Sequence, residues 1–208
     1  MEVTSLAKAV AAVSETMQEK KNYLVKLDQK FGDGDLGLSM AGGFKAVSDY
    51  MSSCAVTDLG SALLKCSTVF NEAAPSSLGT IISMFFMGMA KELKGKRDAS
   101  LEEVAHAMKV GADRIIVKTD SRPGQKTILD SLCPAVDALG EHSAEGWIAA
   151  LKAASKAASV GCESTRMMRS VLGRAAYYGE KSIGSLDGGA VVGDLIFSSL
   201  YHFVEQGD

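Results

Sequence analysis

Only three prolines, Pro75, Pro123 and Pro134, fall in 208 residues. Proline removes a backbone donor and clashes with the preceding turn, so long proline-free stretches are free to run as helices. These stretches are rich in Ala, Leu, Met and Lys and poor in β-branched runs, a composition that favours helix. The pattern predicts helices over 3–20, 37–54, 58–72, 77–94, 100–117, 127–140, 144–167 and 189–204. Ser100-x-x-Glu103 is a capping-box signature for the fifth, Asp58 suits the third as a cap, and Ser76 or Ser77 suits the fourth. The strand-like run Ile115-Ile116-Val117 lies inside a helical pattern and is expected to be helical. In the seventh, small residues from Ala149 to Ala158 allow close helix approach. No Pro/Ser/Gly-rich linker or charge shift divides the chain, so one domain over 1–208 is expected. Eight helices of similar length with short connections predict an all-α fold, an antiparallel up-and-down bundle or barrel.

Composition removes several function classes. The longest apolar stretch, Ile81 to Ala90, is well short of the ~20 residues a membrane span needs. It is expected to be a helix buried on nearly all sides. The N-terminus has no apolar signal core, so a cytoplasmic protein is expected. A formal net charge of −3 argues against a nucleic-acid surface. The four cysteines, Cys54, Cys66, Cys133 and Cys162, form no Cys-x-x-Cys pair and are expected to be reduced thiols. His106, His142 and His202 stand in no catalytic pattern.

The chemistry concentrates in one loop. Asp28, Asp33 and Asp35 sit within eight residues, interleaved with Gly32 and Gly34 and followed by Gly37. Carboxylates are hard ligands suited to Mg²⁺ or Ca²⁺. An EF-hand is excluded, because the twelfth position from Asp33 is Phe44 where a bidentate Glu is required. On spacing alone, a metal site and a solvated turn with Asp35 as N-cap remain equal readings. The glycines add a second observation. They precede or open every even-numbered helix: the acidic loop before the second, Gly79 in the fourth, Gly124 before the sixth, Gly188 and Gly189 at the eighth. In an antiparallel arrangement those four starts share one rim.

Three further motifs lie at these starts. Pro75-Ser76-Ser77-Leu78-Gly79-Thr80 is a small-residue turn into a helix, suited to an anion or to plain capping. Arg122-Pro123-Gly124-Gln125-Lys126-Thr127-x-x-Asp130 reads either as a solvated turn with two cations or as part of a site, with Thr127 and Asp130 in a capping arrangement. Gly173-Arg174-Ala175 leads to Asp187-Gly188-Gly189; the arginine can pair with a phosphate or stack on a base, and Asp187 can cap the last helix or accept from a nucleotide hydroxyl.

Taken together and in this order, these motifs resemble the nucleotide-binding L subunit of dihydroxyacetone kinase, of the phosphotransferase-system-dependent type. The similarity spans about Leu24 to Leu200. It rests on Asp28 with Gly32-Asp33-Gly34-Asp35-Leu36-Gly37, on Ser76 to Thr80, on Pro123-Gly124-Gln125-Lys126-Thr127, and on Gly173 to Ala190. The resemblance implies an eight-helix barrel with a nucleotide, ADP or ATP, at one rim. It implies that Asp28, Asp33 and Asp35 hold two Mg²⁺ ions. It places Leu36, Gly37, Leu38 and Ser39, together with Ser76, Ser77, Leu78 and Gly79, against phosphates and sugar, and Ile128 against the base. Thr119, Arg174, Asp187, Gly188 and Gly189 complete the pocket.

The partners so implied are a ketose-binding K subunit, a phosphohistidine-bearing M subunit, a transcription regulator and a second copy of the chain. Neither nucleic acid nor membrane is expected. Bound ADP would relay a phosphoryl group from the M subunit to dihydroxyacetone on the K subunit. The competing expectations are an ATP-dependent kinase subunit for another small ketose such as a tetrulose, a nucleotide-sensing regulatory module, and a partner in fatty-acid phosphorylation. The chain departs from the family pattern at Leu36, Ser39, Pro75, Leu78, Gln125 and Gly188.

Overall fold

Hydrophobic periodicity becomes eight α-helices in the computed structural model, which describes residues 1–207. They are α1 (Val3–Asp28), α2 (Leu36–Ser52), α3 (Leu59–Ala73), α4 (Ser77–Glu92), α5 (Leu101–Thr119), α6 (Leu129–Glu141), α7 (Trp147–Ser164) and α8 (Gly188–Glu205). Short 3-10 turns lie at Ser143–Glu145, Thr165–Met167 and Arg174–Ser182. The only β pairing among the described residues is the isolated bridge Glu2–Asp98. Consecutive helices pack together, and α1 also packs on α8, which closes the ring into a barrel. Among the described residues, no helix is long and apolar enough to cross a membrane.

Six of the eight helices begin and end within two residues of the expected positions. The first runs eight residues further, from 20 to Asp28. The charged stretch Glu19-Lys20-Lys21-Asn22 reads as a stop, but fully buried Met17 and Leu24 continue the apolar stripe across it. The seventh is three residues shorter at each end, with Thr165–Met167 turning as a 3-10 helix. Gly146 at φ +91 ends the Ser143–Glu145 turn, and α7 begins only at Trp147.

Capping follows the sequence closely. The Asp58 carboxylate accepts from Ser61 N–H (2.6 Å), Ser76 Oγ accepts from Gly79 N–H (3.1 Å), and Ser100 and Glu103 form a reciprocal box. Each such cap contributes about 1 kcal/mol. No residue from Ile81 to Ala90 is exposed, as its composition requires. Pro134 lies inside α6, where its ring takes no part in the helical ladder and crowds the Asp130 carbonyl. Gly161 of α7 packs on that same carbonyl; a Cβ there would lie 2.0 Å from Asp130 O.

The barrel has two different ends. The starts of α1, α5 and α7 and the later parts of α4 and α8 surround an apolar cavity of about 380 Å³, walled by residues such as Phe85, Phe86, Trp147 and Phe203. The starts of the even-numbered helices gather at the opposite end.

Candidate functional site

That opposite end holds a cavity of about 840 Å³. Its wall is drawn from all four even-helix starts: Asp33 and Asp35 before α2, Ser76 and Ser77 at α4, Thr127 and Ile128 before α6, and Asp187 to Gly189 at α8. The shared rim expected from the glycine positions is therefore present. Each helix start presents N–H groups without intrahelical partners and the positive end of a dipole. Four of them around one cavity aim several positive dipole ends at the same space.

Three carboxylates face the same space. Asp28 is the last residue of α1. The chain then folds back over it: Gly32 N–H donates to the Asp28 carbonyl (2.6 Å) and Gly34 N–H to the Asp28 Oδ2 (2.7 Å). Gly34 takes φ +80. A Cβ at Gly32 would lie 2.3 Å from Asp28 Oδ1, so both glycines serve this wrap. One oxygen from each of Asp28, Asp33 and Asp35 falls within 4.8 Å of the others.

Mg²⁺ binds oxygen at about 2.1 Å, so two oxygens on one ion are about 3 Å apart when adjacent and about 4.2 Å when opposite. A slight contraction suits one ion, and bridging carboxylates suit two. Burial, reinforced by the charges of Asp33 and Asp28, pushes the Asp35 carboxyl above its usual range. Asp35 occupies the N-cap position of α2, yet its side chain makes no capping bond. The capping role does not account for this residue; its carboxylate instead lies against that of Asp33. Hard oxygen donors and mutually repelling carboxylates both fit Mg²⁺. Arg174 adds positive charge beside the cluster, with Nη1 2.5 Å from Asp33 Oδ2.

Other candidate residues divide between cavity wall and support. Leu36, Ser76, Ser77, Leu78, Thr119 and Ile128 line the cavity, as do Arg174, Asp187, Gly188 and Gly189. Gly37, Leu38, Ser39 and Gly79 are not part of the wall. Gly37 faces α1, where a Cβ would lie 2.1 Å from Lys21 O, and Gly79 faces the Ala74 carbonyl at 1.9 Å. Leu38 is 58% exposed on the outside of α2. Leu36 and Gly188, two departures from the family pattern, share one space: a Cβ at 188 would lie 2.5 Å from Leu36 Cδ2.

Thr119 donates to the Ile115 carbonyl (2.8 Å) and shares a hydroxyl–hydroxyl hydrogen bond with buried Ser121. Asp187 caps α8 by accepting from Ala190 N–H (2.7 Å), and its own N–H donates to Thr165 Oγ1 (3.0 Å). Burial pushes the Asp187 carboxyl up to about 6. The histidines are exposed or half-buried, and no histidine or cysteine lines the cavity. The cysteines are free thiols.

The turn before α6 differs from a solvated turn. Asp130, buried, accepts from Gly124 N–H (2.5 Å) and Thr127 N–H (2.6 Å) and folds the turn around its carboxylate. Arg122 is exposed, but Lys126 is only 4% exposed. Burial holds the Lys126 ammonium below the usual lysine value. The motif around Lys126 assigns the lysine no role, and Ser121 and Ser170, which fall in no motif, also reach the cavity.

Comparison with known proteins agrees with this architecture. The family model described as the DAK2 domain matches residues 30–202. The chain is 31% identical over 189 residues to the ADP-binding subunit DhaL of the PEP-dependent dihydroxyacetone kinase of Escherichia coli (strain K12), covering 90% of each chain. It is 27% identical over 186 residues to the corresponding subunit of kinase 1 of Listeria innocua, covering 89% of each. The dihydroxyacetone kinase of C. freundii in complex with AMP-PNP and Mg²⁺ shares the fold with TM-score 0.77 at 24% identity, over 94% of this chain but 33% of that one. The all-α barrel, the matched span and the relatives agree: this chain belongs to the DAK2-domain family.

Proposed function

We propose that the chain is the Mg-nucleotide-binding subunit of a dihydroxyacetone-kinase-like phosphotransferase. The observation that carries this reading is the meeting of four helix starts with a three-aspartate loop in one cavity of about 840 Å³. An anion-attracting rim and a cluster of acids repel different ligands, and a cation-bound polyphosphate satisfies both at once. Asp28, Asp33 and Asp35 would hold Mg²⁺, two ions making fuller use of three carboxylates. Bound there, Mg²⁺ supplies the charge that neutralises phosphate oxygens during phosphoryl transfer.

The chain's own residues bind and orient. First-turn N–H groups of Ser77 and Leu78 are placed for phosphate oxygens, and Arg174 for an outer phosphate. Ile128, Leu78 and Ile115 offer an apolar seat for the base, with Thr119, Gly188 and Gly189 along its edge. Asp187 faces the same space beside its cap. Leu36 lines the metal end; Gly37 and Gly79 act behind the wall by letting α2 and α4 start against Lys21 O and Ala74 O, while Leu38 and Ser39 lie outside it.

By analogy with the PEP-dependent relatives, the phosphoryl group would come from a phosphohistidine-bearing M subunit, pass through bound ADP, and leave to a ketose such as dihydroxyacetone on a K subunit, in the cytoplasm.

The test is mass spectrometry of the nucleotide that co-purifies, followed by transfer assays with K and M partners. Retained ADP, with transfer from the M subunit, is the expected result. Turnover with ATP and a K partner alone would establish the ATP-dependent ketose kinase instead. Mg-ADP binding without transfer to either would leave a regulatory module. A chain that binds no Mg-nucleotide overturns the reading.

A further inference from the structure

Arg174 reaches Asp33 from a segment that has no regular α-helix of its own. Between the ends of α7 and α8, residues 165–187 form a long loop with only 3-10 turns. Its outer part is exposed, with Met167 83% and Tyr177 92% exposed. Arg174 itself is 65% exposed in its side chain. A loop of this length with so little burial needs some restraint if its arginine is to keep one position.

The restraint comes from another part of the cavity wall. Lys126, in the turn before α6, sends its ammonium into the base of the loop. Lys126 Nζ donates to the carbonyls of Thr165 (2.8 Å), Met168 (3.1 Å), Ser182 (2.7 Å) and Ser185 (2.7 Å). The first two lie where the loop departs from α7 and the last two where it returns to α8. An ammonium has three donors, so four carbonyls at these distances share its protons fully. The backbone at Lys126 is left-handed, φ +60, an unfavourable conformation for a residue with a side chain. It persists where surrounding contacts fix it, and here the four carbonyls do so.

Three further hydrogen bonds tie the same neck. Gly184 N–H donates to the Arg166 carbonyl (2.7 Å), Ser170 N–H to Ser182 Oγ (2.9 Å), and Asp187 N–H to Thr165 Oγ1 (3.0 Å). Lys126 sits beneath them, nearly inaccessible. Leu172, Gly173 and Arg174, which project from the closed neck, line the cavity.

We propose that Lys126 is a positioning residue that closes the neck of the 165–185 loop and thereby holds Arg174 beside the three-aspartate cluster. All four hydrogen bonds of Lys126 go to backbone carbonyls, with the Asp187 carboxylate as a nearby charge. The same turn carries Thr127 and Ile128 in the cavity wall, so the arginine and the apolar seat are fixed by one element. The functional consequence rests on the Mg-nucleotide reading above; the mechanical one does not.

The experiment therefore has two arms. In the first, hydrogen exchange is measured on the ligand-free chain and on Lys126→Met. Exchange at the Ser170, Gly184 and Asp187 amides is expected to rise about tenfold or more, with α1 to α5 unchanged. In the second, Mg-ADP binding is measured by calorimetry for wild type, K126M, R174A and the double variant. K126M and R174A should each weaken binding, and the double variant should weaken it little beyond R174A, because both changes remove one positioned guanidinium.

Unchanged exchange in K126M overturns the proposal. So does fully additive loss in the double variant, or wild-type affinity in K126M alongside loss in R174A. If K126M does not fold, Lys126→Gln, which keeps a donating amide, serves in both arms. If the wild-type chain binds no Mg-ADP, the nucleotide reading fails and the exchange arm alone decides the neck.

Discussion

Asp33 and Asp35 carry charge that the protein around them neutralises only in part. Arg174 pairs with Asp33, while Asp35 stays under the influence of two like charges. Changing both to Asn should abolish Mg-dependent nucleotide retention and leave helical content, read by circular dichroism, nearly unchanged; wild-type affinity for Mg-ADP in the double variant would contradict the metal site. A second change tests the wrap around Asp28. Gly32→Ala places a methyl within 2.3 Å of Asp28 Oδ1, so the carboxylate must move. Mg²⁺ affinity, titrated with Mn²⁺ as a paramagnetic substitute, should fall about tenfold, the effect of misplacing one charged ligand by a fraction of a bond. The acids were legible in the sequence because like charges packed between glycines need a local reason to exist. Lys126 was not legible. A lysine in a Pro-Gly turn reads as solvated, and its partners are carbonyls 39 to 59 residues away, which no side-chain pattern announces. Gly79 was legible as important but for another cause: it lets α4 start against the Ala74 carbonyl and does not touch the cavity.

At the scale of elements, boundaries were recovered where a polar cap or a turn residue coincides with the end of the apolar stripe. Asp58, Ser76 and Ser100 all cap as their types predict. The end of α1 was missed because a charged stretch on the solvent side hides the continuing stripe. The contact of α6 with α7 was only partly visible. The alanine-rich face of α7 pointed to close approach, but the sequence did not say that Pro134 and Gly161 meet at one carbonyl. Proline leaves Asp130 O without its helical donor, and Gly161 lets α7 pack onto it. Gly161→Ala would bring a methyl to 2.0 Å of that oxygen, which only a shift of the helices relieves. Overpacking of this kind costs about 1–3 kcal/mol. For a domain of this size that is roughly 2–4 °C of melting temperature per kcal/mol. A thermal melt of G161A at or above the wild-type value would show that the helices are less closely apposed. The strain would also reach the site, because Asp130 organises the turn that carries Lys126.

Across the whole molecule, the ring of helices sets both the site and part of its cost. An up-and-down barrel necessarily places alternate helix starts at one rim, so this topology gathers four of them around one cavity without any dedicated binding domain. The same topology draws the Asp187 carboxyl out of water at the start of α8. Its pKa rises from 3.8 to about 6 because burial outweighs the Ala190 hydrogen bond. The folded chain therefore holds this proton more tightly than the unfolded chain. Between pH 4 and 6 the folded state binds more protons, so the Asp187 contribution to stability falls as pH rises and is fully lost above about pH 6. At 1.36 kcal/mol per pK unit, the loss is roughly 2–3 kcal/mol. Asp187→Asn keeps an amide oxygen for the cap and removes the titration. The stability of D187N relative to wild type, from urea melts of the ligand-free chain at pH 4, 5, 6 and 7, should rise by about that amount across the series and level off at the top. Parallel pH profiles for the two proteins would mean that Asp187 remains a free, ordinary carboxylate in the folded chain. Removal of one buried charge also makes the rim more positive, so Mg-ADP affinity in D187N, measured at pH 7, is expected to fall only if Asp187 accepts from the bound nucleotide, and to hold or rise if its sole task is to begin α8.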